Sequence, residues 1–141
     1  MIDRNRELGR KYVSFINAAH LDPDCFTSDF VYNNPQGQTT DFEGAQGTLG
    51  YFASAFPDHN TTTYDEIVTE DRAVYRWITR ATHQGEMLGI PGSGAPIELR
   101  GMTILRIVDG KIAEVWENID LLGLMQQMGA IPTPDAAGAA T

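Results

Sequence analysis

The dipeptide Asp109-Gly110 divides two runs rich in apolar and β-branched residues within residues 98–123, ELRGMTILRIVDGKIAEVWENIDLLG. A two-residue Asp-Gly loop favours the type I′ turn, in which both central residues take positive φ and the turn twists with its strands. The chain is therefore expected to contain a long antiparallel hairpin that buries one of its faces. On the outgoing strand Trp116, Asn118 and Asp120 share one parity and are expected to face the same side, before a helix starts near Leu121.

The rest of the chain supplies what covers that hairpin. Leu8, Tyr12, Phe15, Ile16 and Ala19 recur at helical spacing and predict a first helix over residues 3–20. Pro23 suits a short helical turn, and a strand over residues 30–33 is closed by Pro35 and a polar loop. Leu49, Phe52, Ala53 and Phe56 predict a second helix over residues 44–56 despite its glycines. Two strands follow, over residues 61–68 and 73–84. Residues 87–96, MLGIPGSGAP, hold three glycines and two prolines and read as a loop at a strand end, placed to form a rim or lid. After Asp120 a short amphipathic helix closes at Gly129. Helices first, then four consecutive antiparallel strands, predict an α+β fold: a highly curved antiparallel sheet with the N-terminal helices over its concave face, enclosing an apolar pocket. One domain spans residues 1–131, and residues 132–141 read as a flexible tail with nothing to pack.

Composition narrows the partners. The chain has 141 residues, 42% hydrophobic and 21% charged, which suits one globular core. Its formal charge of −9 repels phosphate backbones and anionic membranes, so neither nucleic acid nor a membrane surface is an expected partner. Cys25 stands alone and cannot form an internal disulfide, the N-terminal stretch lacks an apolar signal core, and a cytoplasmic setting is expected. Val74, Tyr75, Trp77, Ile78, Ile104, Leu105 and Ile107 give the strands apolar residues of both parities. A convex face covered by a second copy, in a homodimer or higher homo-oligomer, is the expected arrangement.

His20, His59 and His83 are scattered and no paired-cysteine motif occurs, so no metal centre is expected. Neither a nucleophile elbow nor a dinucleotide or Walker loop is present; Gly92-Ser93-Gly94 runs into Ala95-Pro96 instead of a helix, and no cofactor is expected. Acid–base chemistry by isolated polar groups in an apolar pocket remains. Asp120 is the candidate base, because Trp116, Ile119, Leu121 and Leu122 would desolvate its carboxylate. An aspartate just before a helix is equally a favoured N-cap, and the two roles are compatible. His83, at the end of a long strand, is a candidate hydrogen-bonding or proton-donating helper, with a structural role as the plainer reading. Trp77, Trp116, Tyr32, Tyr51 and Phe52 are candidates to stack on a small, flat hydrophobic ligand, though aromatics in strands usually belong to the core. Tyr32 or Tyr51 is a candidate oxyanion donor of the ketosteroid-isomerase type. Arg100 and Glu114 are expected to pair across the hairpin.

One ordered set of residues resembles a known family. Thr82-His83, Gly85, Leu88-Gly89-Ile90-Pro91, the run Arg106-Ile107-Val108-Asp109-Gly110-Lys111-Ile112, Glu114-x-Trp116, Asp120, and the stretch Leu122-Gly123-Leu124-Met125-Gln126-Gln127-Met128-Gly129 look like the SnoaL-like polyketide cyclases of the NTF2-like superfamily. The resemblance covers residues 56–130. It implies an α+β cone whose pocket holds a polyaromatic polyketide, and a cofactor-free intramolecular aldol ring closure. It also implies that the carboxylate matching Asp120 serves as general acid and base. Cyclases of this kind can carry a histidine on the incoming hairpin strand, where this chain has Thr103. Asn118 and Thr103 complete the candidate substrate contacts. The superfamily also holds cofactor-free hydroxylases, hydratases, isomerases and noncatalytic ligand-binding or dimerisation modules, so the fold alone leaves the reaction open.

Overall fold

In the computed structural model, which describes residues 1–132, Asp109 and Gly110 take φ of 50° and 76°, so the two-residue turn forms as its sequence requires. It joins β5 (Pro96–Val108) to β6 (Lys111–Ile119). Around this hairpin lie α1 (Ile2–Ala18), a single 3₁₀ turn (Pro23–Cys25), β1 (Phe26–Asn33), β2 (Thr39–Thr40), α2 (Phe42–Ala55), β3 (Asn60–Val68), β4 (Arg72–Thr82) and α3 (Leu121–Gln127). The α+β, NTF2-like architecture is the expected one. The tail expected over residues 132–141 lies, apart from Pro132, outside the described residues.

The six strands form one sheet in the order β2-β1-β6-β5-β4-β3. It differs from an all-antiparallel sheet in one place, where β1 runs parallel to β6. The helical connection through α2 and the long meander after it return the chain to that edge from the same direction, which local periodicity could not reveal. Thr27, Ser28 and Asp29 are strand residues of β1, which begins ahead of the strand expected over residues 30–33. Register shifts in the β1–β6, β3–β4 and β5–β6 pairs increase the local bend, and the sheet curls around its inner face.

That inner face carries the core. Ala73, Tyr75, Trp77, Thr79 and Ala81 of β4 alternate inward with Ile97, Leu99, Thr103 and Leu105 of β5. Helix α1 lays Leu8 and Tyr12 on it, and α2 lays Ala45, Leu49 and Ala55. Asn5 fixes the far end of α1, its side-chain amide donating to the carbonyls of Thr69 (3.0 Å) and Glu70 (2.8 Å) in the β3–β4 turn. His59 binds the two helices' C-terminal ends together, its ring nitrogens standing 3.0 Å from the Phe56 carbonyl and 2.7 Å from that of Ile16. Of the seven apolar strand residues of both parities, Tyr75, Trp77, Leu105 and Ile107 point inward and are buried. Val74, Ile78 and Ile104 face outward with Met102 and Trp116, among ion pairs Arg76–Asp65, Arg80–Glu98 and Arg106–Glu114. Arg100 pairs with Glu98 on its own strand and not with Glu114, because register sets Arg106 opposite Glu114. No helix among the described residues is long and apolar enough to cross a membrane.

Candidate functional site

Strand alternation decides which side chains of β6 reach the cavity. Val115 is fully buried in the core, and Glu117 and Ile119, two and four residues after it, lie on the same side and line the cavity. Trp116 and Asn118 take the opposite parity and lie on the outer face, where Trp116 stands opposite the exposed Ile104. The expected inward set Trp116, Asn118 and Asp120 is therefore displaced by one residue, which flips every side chain to the other face.

The cavity encloses about 160 Å³ between the inner sheet face, α1, α2 and α3. Its walls are largely apolar, with Val13, Ile16, Leu49, Phe52, Leu99 and Leu124 among them, and no lysine or arginine lines it among the described residues. Gln36, Thr48, Tyr51 and Leu88 are lining residues that are also exposed, and they mark the mouth. Met87 and Leu88 come from the glycine-rich loop, which folds back over the cavity through a small bridge between Met87 and Ile90. Tyr51 fastens that loop: its hydroxyl bonds the Glu86 carboxylate (3.0 Å) and accepts the Leu88 amide (2.9 Å).

At the floor sits one carboxylate. Glu117 retains accessible surface although it lies deep in the molecule, because that surface faces the cavity. Each of its oxygens has a separate partner: the Tyr12 hydroxyl donates to Oε1 at 3.2 Å and the Tyr32 hydroxyl to Oε2 at 2.8 Å. Burial pushes the carboxyl above its ordinary range, and the two tyrosine hydrogen bonds, which favour the ionised form, offset only part of that. Burial, together with the Glu117 charge, drives the Tyr12 and Tyr32 hydroxyls far upward, so both remain donors at neutral pH. A partly desolvated carboxylate with spare lone pairs, open to an apolar cavity, is equipped to take a proton from a bound molecule.

Register extends this group into a row. Glu117 on β6 is opposite Thr103 on β5, and Thr103 is opposite Tyr75 on β4. Thr103 accepts a hydrogen bond from Trp77 Nε1 at 2.9 Å, and Thr61 and Thr79 pair with each other at 2.6 Å. In the neighbouring row Gly101 lies between Trp77 and Ile119. A Cβ at Gly101 would run into the Trp77 indole, so the glycine is what lets that ring lie flat across the strand.

The sequence candidates divide accordingly. Tyr32, Tyr51, Phe52, Trp77 and Thr103 line the cavity. Asp120 does not: it is exposed, with its carboxylate accepting the Gly123 amide at 2.9 Å as the N-cap of α3. Solvent, and not the apolar side chains expected around it, surrounds this group. His83 also stands away from the cavity lining, fully buried against Phe56 with Ser93 Oγ 3.0 Å from Nδ1. Its contacts with Ser93 tie the glycine-rich loop to the end of β4. Trp116 and Asn118 lie outside, as described. Tyr32 and Tyr51, the candidate oxyanion donors, are engaged by Glu117 and Glu86 respectively. Sequence reasoning missed Glu117, Tyr12 and Tyr75; the apolar alternation Ala113, Val115, Ile119 was the signal that sets Glu117 inward.

A curled sheet closed by helices around an apolar cavity with a carboxylate at its floor is an architecture of the NTF2-like class. More narrowly, the sequence profile described as SnoaL-like polyketide cyclase matches residues 6–128, and the chain belongs to that family. Solved structures agree. AclR from Streptomyces galilaeus, a candidate hydroxylase, superposes with a TM-score of 0.89 at 25% identity, covering 99% of this chain and 90% of that one. IdmH from Streptomyces antibioticus, a candidate polyketide cyclase, gives 0.80 at 26% identity, covering 89% and 98%. TsrD from Streptomyces laurentii gives 0.79 at 30% identity, covering 92% and 97%. Among curated proteins no sequence matches.

Proposed function

We propose that the chain is a cofactor-independent acid–base enzyme that moves a proton at carbon beside a carbonyl of a hydrophobic, polyketide-like ligand, with Glu117 as the base. The observation that carries this reading is the Glu117 carboxylate itself, raised by burial, hydrogen-bonded at both oxygens and open to the cavity. In the reaction Glu117 accepts the proton, the C–H electrons pass to the carbonyl oxygen as an enolate, and the enolate carbon attacks a second carbonyl of the same molecule. The protonated Glu117 then returns its proton to the new alkoxide, which completes an aldol ring closure with no net change in charge. The cavity of about 160 Å³ compares with an engineered cavity of roughly 150 Å³ that admits benzene. Its floor therefore suits one ring, and a fused ring system would extend through the mouth. The outer sheet face, apolar at Val74, Ile78, Met102 and Ile104, is assigned to pairing with a second copy, in a cytoplasmic setting.

The test uses 2-tetralone, a bicyclic ketone with acidic α-protons, in deuterated buffer. The protein is expected to speed α-deuteration, and Glu117→Gln to lose about a hundred- to ten-thousand-fold of that rate. Asp120→Asn should keep it. An unchanged rate in a folded Glu117→Gln protein refutes the assignment. The likeness to AclR favours a second reading, cofactor-free oxygenation, in which the same carbanion and a proton combine with dioxygen to give a hydroperoxide that an external two-electron reductant takes to the alcohol and water; oxygen uptake during turnover separates the two.

A further inference from the structure

Resting on Glu117 as the base, we infer that Tyr75 is a second catalytic residue, whose hydroxyl donates the hydrogen bond that holds the substrate's carbonyl oxygen as it becomes an enolate. Tyr75 lines the cavity, yet its hydroxyl is buried without any hydrogen-bond partner. Thr103 is its polar neighbour and, close by, favours the ionised form of the phenol, but the two hydroxyls fall outside strict hydrogen-bonding geometry. The other buried hydroxyls of the cavity wall, on Tyr12, Tyr32, Thr61, Thr79 and Thr103, all have partners. A buried donor left unpaired costs stability, so its retention calls for a partner that the empty protein does not supply.

Position says what that partner is. Tyr75, Thr103 and Glu117 occupy one row across β4, β5 and β6. Strands lie about 4.8 Å apart, so the backbones of Tyr75 and Glu117 stand roughly 10 Å from each other. The small Thr103 between them leaves room for the reacting fragment: the α-carbon toward Glu117, the carbonyl oxygen toward Tyr75. As the C–H bond breaks, its proton goes to Glu117 and its electron pair to the oxygen. Tyr75 keeps its own proton throughout, since burial and then the charge of Glu117 push its hydroxyl well above the ordinary tyrosine range. A donor aimed at the developing oxyanion is typically worth a hundred- to a thousand-fold in rate.

Tyr75→Phe, which removes one oxygen atom, tests this with the same 2-tetralone probe. Three results are expected together. The α-deuteration rate falls about a hundred- to a thousand-fold. The infrared C=O stretch of the bound ketone, lowered in the native protein by the hydrogen bond, returns to higher frequency. Thermal stability holds or rises, because an unpaired buried hydroxyl has been deleted. An identical carbonyl stretch in native and Tyr75→Phe proteins overturns the proposal, as does a clear fall in melting temperature, which would reveal an internal partner. A lost stretch shift with no native deuteration would retain the Tyr75 contact while refuting Glu117 as base. Absence of ketone binding to the native protein would overturn both.

Discussion

The Tyr32 hydroxyl, on β1, donates to Glu117 Oε2 at 2.8 Å across the one parallel strand pair of the sheet, where Tyr32 stands opposite Val115. Strand β1, held between β2 and β6, thus stabilises the ionised form of the candidate base. Tyr32→Phe should cost about 1.5–3 kcal/mol at neutral pH, the usual worth of a hydrogen bond to a charged group. The loss should shrink in acid, where the carboxyl is neutral. Denaturant titrations at two pH values check this, and a cost independent of pH would refute it.

Stability should itself depend on the protonation of Glu117. Its folded carboxyl binds a proton more tightly than the ordinary value of 4.5 for an unfolded chain, because burial outweighs the tyrosine hydrogen bonds. The stabilisation from this group is therefore fully present below about pH 4.5 and is lost as pH rises through the higher native value. Replacing Glu117 with Gln should remove this component from the pH dependence of the melting temperature. For the same reason the acidic limb of the rate profile should lie above the ordinary glutamate range.

Asp120 belongs to the start of α3. Asp120→Ala should cost about 1 kcal/mol and Asp120→Asn very little, since asparagine caps nearly as well as aspartate. Neither change should alter α-deuteration at Glu117 in the folded protein. A thousand-fold loss of rate in stably folded Asp120→Asn would return the mechanism to the helix cap.

Gly101→Ala should destabilise the fold by about 1–3 kcal/mol, because the new methyl group has to displace the Trp77 ring toward the cavity. The displaced ring loses its bond to Thr103, so tryptophan fluorescence should change together with ligand affinity.

The outer face should bring two copies together. Light scattering at micromolar concentration is expected to give the mass of a dimer or larger assembly, and Ile104→Lys, which places a charge at an exposed apolar position, should shift it toward monomer. A native monomer would refute this arrangement.

The hairpin, both long helices, the loop and the N-cap of α3 were legible because each depends on local chemistry: an Asp-Gly turn, a helical apolar stripe, a glycine-proline cluster, an aspartate before a helix. The Schellman ending of α3, with Gly129 and Ala130 bonding back to Gln126 and Met125, was legible for the same reason. The parallel pairing of β1 with β6 joins residues some eighty positions apart and leaves no local trace. The inward side of β6 was hidden by parity. Trp116 is large and apolar, and taking it as the inward residue carried Asn118 and Asp120 with it, whereas the smaller Ala113 and Val115 define the buried side. Glu117 was then passed over because, in a sequence, a glutamate between Trp116 and Asn118 looks like a solvated strand residue; only Tyr12 and Tyr32, brought from helix α1 and strand β1, make it a tolerable buried group.

Glu117, Tyr75 and Thr103 are held by strands in the middle of the sheet, while Gln36, Thr48, Tyr51 and Leu88 at the mouth come from two connections and the exposed side of α2. The doorway and the workbench are thus separate parts. Changes at the doorway can alter which molecules enter without touching the base or the core that supports it, so one apparatus for removing a proton can be refitted to new guests by surface substitution alone.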